Sequence, residues 1–460
     1  MLRGLERRRE LDPAFLISDA ESTLTHLYIQ EGNDQEGRGE PAAIALAATV
    51  AAYEHFIAEW KRASPPPSGE GRGSEAKTPE RGETMSLEIR RVENLRQLKA
   101  FIRFPYRIYG GDPCWVPPLD FDDLGTLRKD KNPAFEHCEA EYWIAYRDGS
   151  PVGRIAGIIN HPANEKWGTK LARFGWIDFV EDFEVAEALL RTVEDWARSK
   201  GLEGVHGPLG FTDFDREGML VEGFAELATL ATNYNRPYYP QYLERLGYAK
   251  DIDWVEFQIA TPSVIPEKVL RVQELIAKRS GIHLHEWKDK KELIGKWADD
   301  LFEILEEAYA HLYGTAPLTK RQVQAYIKTY LGFVDPRFTK IVVDKDGKLI
   351  GFGITMPSLS KALQKSRGRL LPFGWLHLML ALRKPTVIDM YLIAVRPEYQ
   401  SRGVVAFLMT SLNQAAIDAG VKVAESNPEL ETNVEVQSLW KGYEKRQHKR
   451  RRIYLKRLAP

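Results

Sequence analysis

Two stretches far apart in the chain follow one plan. "WIAYRDGSPVGRIAG" (143–157) aligns without a gap with "IVVDKDGKLIGFGIT" (341–355). Each reads as an apolar strand, an Asp-Gly turn and a second strand, and Asp-Gly permits the positive φ of a tight hairpin. Each hairpin leads through an intervening segment and another strand to a helix. The helices are "EVAEALLRTVEDWARSKG" and "VVAFLMTSLNQAAIDAG", apolar at helical spacing and ended by Gly201 and Gly420. A further strand follows in each, "LEGVHGP" and "VKVAESN". Each copy then closes with a helix-like segment and a strand, "YYPQYLERLGYAKDIDWVEFQI" and "VQSLWKGYEKRQHKRRRIYLKRL". One supersecondary plan used twice predicts an α+β chain of two tandem lobes.

The rest of the chain sets boundaries. Residues 1–62 are polar and then Ala-rich, and "AAIALAATVAAYEHFIAEW" predicts a helix. "ASPPPSGEGRGSEAKTPERGET" has nothing to bury and reads as a disordered linker. Met85 opens a fresh domain start, "MSLEIRRV". The expected parts are an N-terminal helical and disordered extension (1–84), a first lobe (85–262) and a second lobe (263–460). The extension reads equally as an appended helical piece or an over-long start. Lys plus Arg (64) nearly equals Asp plus Glu (65), which argues against a broad nucleic-acid surface. Cys114 and Cys138 lack metal-ligand spacing, so neither a metal site nor a disulfide framework is expected. No apolar leader follows "MLRGLERRRELDP", and the longest apolar runs fall short of the ~20 residues of a spanning helix. A cytosolic protein is expected.

The chemistry concentrates in "RPEYQSRGVVAFLM" (396–409), which follows the buried-strand pattern "VIDMYLIAV". Gly403 lets backbone approach an anion without a Cβ in the way. The next helix begins with unpaired N–H groups and a positive dipole end, so this turn is a phosphate cradle in outline. The first copy has "VEDFEVAEAL" at the matching point. There Glu181, Asp182 and Glu184 are expected to cap the helix themselves and repel a phosphate.

This element order resembles the GNAT superfamily of acyl-CoA-dependent N-acyltransferases. Its signature is Gln or Arg, two residues, Gly, one residue, then Gly or Ala. Gln400, Ser401, Arg402, Gly403, Val404 and Val405 stand in those places, with Val405 departing from the small last residue. "VRPEY" before them also resembles the family. Across 86–460 the chain is similar to a tandem-lobed group containing bacterial ceramide synthase-like proteins. "FPYRIYGGDPCWVPPL", "GPLGFTDFDREGMLVEGF" and "YNRPYYPQYLERLGYAKDIDWVEF" carry that likeness. The resemblance implies two GNAT-like lobes, each a mixed, mostly antiparallel sheet flanked by helices. It implies acetyl-CoA or a longer acyl-CoA as co-substrate, no metal, and a small-molecule or lipid amine as acceptor. The backbone at Ile393 and Val395 would hold the pantetheine arm, and an N–H there would stabilise the oxyanion. Asp389 is the candidate general base, desolvated among Ile388, Met390 and Leu392, and Glu425 is a second candidate. Trp440 stands where many members place the Tyr that protonates the leaving thiolate, leaving Tyr443 as the nearest phenol. Asn433 either contacts the cofactor arm or caps a helix. One acyl-CoA per chain is expected, in the second lobe.

Other stretches have two readings each. The loop 207–224, with Asp213, Asp215, Arg216 and Glu217, is a substrate-channel lining or a plain connecting turn. "GRLLPFGWLHLMLALRKP" (368–385) is a core helix packing His377, or a face for an acyl chain or a peripheral membrane contact. "YAHLYGTAPLT" (309–319) offers His311 and Tyr313 to an acceptor. The basic "KRQHKRRRIYLKRL" reads as a solvated edge strand guarded by charge, or as help for a CoA phosphate or an anionic headgroup. An N-acyltransferase is the expected function, and a non-catalytic acyl-CoA sensor or pseudo-enzyme is the rival.

Overall fold

The computed structural model describes residues 86–459 except 332, 333, 370–372 and 401, together with residues 5, 6, 53, 56, 57, 59 and 60. The expected linker, most of the Ala-rich helix and Ser401 lie outside the described residues. The chain divides into two compact units, residues 1–85 with 362–380, and residues 86–361 with 381–460. In the stretch with two readings, Gly374–Arg383 is helical, and Phe373, Leu376 and Leu380 are exposed. No helix among the described residues is long and apolar enough to cross a membrane.

The larger unit is an α+β structure built on one sheet. The first copy contributes β1 (Leu87–Arg91), β2 (Cys138–Arg147), β3 (Ser150–Asn160), β4 (Leu171–Phe179), β5 (Gly204–Gly207), β6 (Met219–Glu222) and β7 (Ala249–Ala260). The second contributes β8 (His283–His285), β9 (Thr339–Val343), β10 (Leu349–Pro357), β11 (Val387–Val395), β12 (Val423–Ser426), β13 (Glu429–Leu430) and β14 (Lys445–Arg457). The two Asp-Gly hairpins form where expected, as β2–β3 and β9–β10. Asp148 and Gly149 both take positive φ, whereas at the second turn only Gly347 does. There Asp344 Oδ1 accepts the N–H groups of Asp346 and Lys348, each at 2.9 Å. In each copy the strand after the hairpin runs antiparallel to it and parallel to the next, β4 with β5 and β11 with β12.

The helix Phe183–Ser199 buries Val185, Leu189 and Val193 on the first-copy sheet. The helix Val404–Asp418 buries Val404, Phe407 and Leu408 against Val342, Ile350 and Val395. On the other face of the second copy, Leu301 and Ile304 of the helix Ala298–Tyr309 pack on Phe352, Ile354 and Ala394.

Strand order shows what the repeat conceals. The main path runs β1-β2-β3-β4-β5-β14-β7-β12-β11-β10-β9-β8. The two copies therefore exchange closing strands. β14, last in sequence, pairs with β5 of the first copy, while β7 pairs with β12 of the second. β7 and β14 pair with each other at the centre.

The basic last strand is therefore not a solvated edge. Arg451 is 0% exposed and Lys449 1%. The compensation comes from β7, where fully buried Glu256 accepts Lys449 Nζ at 3.0 Å and also Arg451 Nε. Burial raises the Glu256 carboxyl, but Arg451 and Lys449 outweigh it and hold it at about 2. Asp253 likewise receives Arg450 and Arg452. Alternate residues of β14 point to opposite faces, so each face gains its own carboxylate.

Candidate active site

β11 is bulged. Met390 pairs with Thr355 and Leu392 with Ile354, leaving Tyr391 as the extra residue. The bulge changes which side chains face which helix. Ile388 packs with Ala416 before it, and Ile393 and Val395 join Val404 and Leu408 after it. Leu392 and Ala394 turn instead toward the helix Ala298–Tyr309. Pairing with β12 covers only Val387–Met390, so the two strands part beyond that point.

The backbone of β11 faces this gap. Arg396 N donates to Ile350 O at 2.9 Å. Antiparallel alternation then directs Ala394 and Leu392 toward β10, and Ile393 and Val395 away from it. Ile393 O accepts the Tyr309 hydroxyl at 3.1 Å, and Val395 O lies 3.5 Å from Gln400 Nε2.

The turn at the end of β11 is fixed from three sides. Arg396 Nε donates to Leu349 O at 2.9 Å, and its guanidinium reaches Glu303 and Glu307. Tyr399 donates to Asp344 Oδ2 at 2.9 Å, and Arg402 lies over the Tyr399 ring. Gly403 begins the helix at φ +83, and a Cβ there would meet Ile276 Cδ1 at 2.6 Å. The left-handed conformation favours glycine, and Ile276 would have to shift to admit a Cβ. Val405, the departure from the small last residue, packs partly buried against the cluster of Val395, Val404 and Phe407. Among the described residues no side chain caps this helix. Its first-copy counterpart is capped as expected: Asp182 Oδ1 accepts Glu184 N at 3.0 Å, and Arg147 bridges Asp182 and Glu184.

Asp389 is 1% exposed, and neither carboxylate oxygen has a hydrogen-bond partner. It pairs across the strands with Glu425. Burial, and then the Glu425 charge, push its carboxyl up to about 7. Glu425 is less free, lying 3.4 Å from both Lys449 Nζ and Gln258 Nε2. Tyr443 is on the other side of β11. It lines a narrow apolar cavity with Met390, Met409 and Leu412, and its hydroxyl accepts Asn413 Nδ2 at 2.6 Å. Met390 and Asp389, adjacent in the strand, point to opposite faces, so Asp389 and Tyr443 do not meet across the gap. Asn433 Oδ1 caps the helix Val434–Ser438 by accepting Val436 N at 3.2 Å. Tyr313 donates to Asp251 and lies 3.1 Å from His206 Nδ1.

Sequence reasoning passed over Glu429. It lies on β13, just past the point where β11 and β12 part, and is 9% exposed. Trp440 Nε1 donates to its Oε1 at 2.8 Å, while Oε2 is buried without a partner. Burial raises it to about 7. In "NPEL" nothing local marks such an acid, because the burying groups come from β7 and the segment around Trp440. Among the described residues no group of three His, Cys, Asp or Glu side chains is placed to hold a metal ion.

A bulged strand parts here from its parallel neighbour and leads through a glycine turn into a helix whose first N–H groups meet no side-chain cap among the described residues, an arrangement open to an anion. Residues 298–443, which contain all three elements, match the Acetyltransferase (GNAT) family model. Over those residues the chain is similar to acyltransferases of the GNAT type. It is 28% identical over 381 residues to Protein YghO of Escherichia coli (strain K12), covering 80% of this chain and 95% of that protein. It is also 28% identical over 385 residues to the Bacterial ceramide synthase of Caulobacter vibrioides, covering 81% and 98%. Among solved structures it is similar to a tandem GNAT protein from the clavulanic acid biosynthesis pathway, at 13% identity and TM-score 0.46 over 82% of this chain and 99% of that one. A GCN5-related N-acetyltransferase from Sphaerobacter thermophilus gives 12% identity and TM-score 0.46 over 82% and 98%.

Proposed function

We propose that the protein transfers an acyl group from acyl-CoA to an amine, using one donor site per chain, in the second copy. The observation that carries this is the contrast between two equivalent helix starts. At Gly403 the first-turn N–H groups meet no side-chain cap among the described residues, whereas Asp182 fills the same place in the first copy. An open helix start takes a phosphate, and a carboxylate-capped one repels it. Arg402, Gly403, Val404 and Val405 would receive the pyrophosphate, and the Ile393 and Val395 backbone the pantetheine arm. Asp389, held near neutrality, accepts a proton from the acceptor ammonium. The freed amine then forms its N–C bond to the thioester carbonyl carbon, giving a tetrahedral intermediate. The second ammonium proton passes from it to water, its collapse breaks the C–S bond, and the thiolate takes up one proton, from Tyr443 or water. A lipid-like amine is the favoured acceptor, supported by the similarity to a protein named for ceramide synthesis. That acceptor class brings a peripheral membrane contact with it.

The test is thiol release from acetyl-, octanoyl- and palmitoyl-CoA across a panel of amines, with CoA binding followed by calorimetry. Release with at least one pair, and about one CoA bound per chain, is expected. Two CoA per chain would overturn the one-site reading. Binding without release from any pair would favour the rival, an acyl-CoA sensor, for which Trp440 in place of the usual phenol is the supporting observation.

A further inference from the structure

The two copies differ most in one connection. In the first copy, β3 leads to β4 through residues 161–170, which include Glu165. In the second copy, β10 leads to β11 through the far longer residues 358–386. These contain Lys361, Lys365, Arg367, Arg369, Arg383 and Lys384, and no Asp or Glu. All six cations are exposed. The connection leaves and rejoins the sheet next to the candidate base: Ser358 N donates to Val387 O at 2.9 Å, and Met356 pairs with Asp389. The first copy joins the equivalent strands without such an insertion, so the sheet itself does not need it.

The apolar residues of this connection are not all spent inside. The helix Gly374–Arg383 and the residue before it leave Phe373, Leu376 and Leu380 exposed by 68%, 40% and 56%. Spaced three and four apart, they fall on one side of the helix. Large apolar side chains gathered on one exposed side mark a surface that something covers.

Charge says what covers it. Arg367 and Arg369 precede the helix, and Arg383 and Lys384 close it, so the apolar side is bounded by cations at both ends. With no acid among them, these cations favour an anionic partner. A second copy of the chain would bring the same six cations and be repelled. A short apolar helix between cations suits a layer of anionic headgroups, with its apolar side toward the acyl chains and its cations among the phosphates. Another helix with exposed apolar side chains, Glu267–Ser280, differs. Val269, Val272 and Leu275 are exposed there, yet Glu267 and Glu274 lie among its cations, and Glu267 accepts Arg271 at 2.8 Å.

We propose that the helix Gly374–Arg383 and its flanks are the surface by which the protein rests on an anionic bilayer. Phe373, Leu376 and Leu380 enter the headgroup layer, and Lys365, Arg369, Arg383 and Lys384 meet lipid phosphates beside them. This deepens the acyl-transfer reading, whose peripheral contact it gives a surface and a lipid charge, while the binding itself requires neither donor nor turnover.

The test sediments the full chain with vesicles of equal parts phosphatidylglycerol and phosphatidylcholine, and with phosphatidylcholine alone. Wild type should sediment with the anionic vesicles and be released by about 0.5 M salt. Phe373→Ser/Leu376→Ser/Leu380→Ser should lower partition onto anionic vesicles about 10- to 100-fold. Lys365→Glu/Arg369→Glu should lower it at least about 10-fold and abolish the preference over phosphatidylcholine. Val272→Ser/Leu275→Ser, on the helix with its own acids, should bind as wild type does. Circular dichroism of each variant separates a lost contact from a failure to fold. Equal sedimentation with both vesicle types, or anionic binding unchanged in both the triple and the charge-reversal variants, would overturn the proposal. So would a wild-type dimer that the triple variant turns into a monomer, with no vesicle binding, because the face would then belong to a second copy. Vesicle binding with no thiol release from any donor and amine would keep this surface and overturn the transfer reaction. Thiol release with no vesicle binding would keep the reaction and overturn this surface.

Discussion

Asp389→Asn changes the charge of the candidate base with almost no change in volume. The residue is 1% exposed and its carboxyl is raised from 3.8 to about 7. That is about 3 pKa units at about 1.36 kcal/mol each, so ionising it in the folded protein costs about 4 kcal/mol. The folded state holds this proton more tightly than the unfolded state does. Below pH about 4 both states are protonated and the penalty is absent. Between about 4 and 7 the unfolded form ionises first, so stability falls with a slope approaching 1.36 kcal/mol per pH unit. Above about 7 the penalty is complete and constant. The Asn variant lacks this slope. Its unpaired buried amide shifts its whole stability curve by about 1–3 kcal/mol without bending it. Urea unfolding of both proteins at several pH values from 4.5 to 8 isolates the effect, because the constant offset cancels. The difference between the curves should change by about 2–4 kcal/mol across that range, in favour of the variant at high pH. Parallel curves would refute the titration and with it the case for Asp389. The same variant should lose the rising limb of kcat/KM near pH 7. Glu429 is also raised to about 7, so Glu429→Gln is the companion arm. A limb that survives Asp389→Asn and disappears in Glu429→Gln moves the base to Glu429.

Glu256→Gln leaves Lys449 and Arg451 buried at the sheet centre without an anion and should destabilise by about 3–5 kcal/mol, read by urea unfolding; an unchanged midpoint would show that the pairs are not what holds β14. Gly403→Ala places a methyl group 2.6 Å from Ile276 at φ +83, costs about 1–2 kcal/mol in backbone strain, and should weaken CoA binding by calorimetry. Full CoA affinity in that variant would remove the turn from the donor site. Tyr443→Phe deletes the phenol that accepts Asn413 and should lower kcat about 10- to 100-fold at constant acyl-CoA KM if that phenol protonates the thiolate. An unchanged kcat assigns the proton to water.

The sequence by itself determined the repeated local units. Asp-Gly at 148–149 and 346–347 marked both hairpins, and the apolar spacing ended by Gly201 and Gly420 marked both helices, because turns and helix ends are fixed by residues within a few positions of each other. Apolar neighbours in "VIDMYLIAV" also foretold the burial of Asp389. Only the tertiary structure decided how the copies join. The exchange of β7 and β14 joins residues far apart in sequence, and no local pattern encodes it. The same distance hid the meaning of the basic last strand. Its charges read as solvated until Glu256 and Asp253, on a strand from the other copy, took them inside. Glu429 was hidden for a related reason. A carboxyl is made reactive by what buries it, and its surroundings come from β7 and the segment around Trp440.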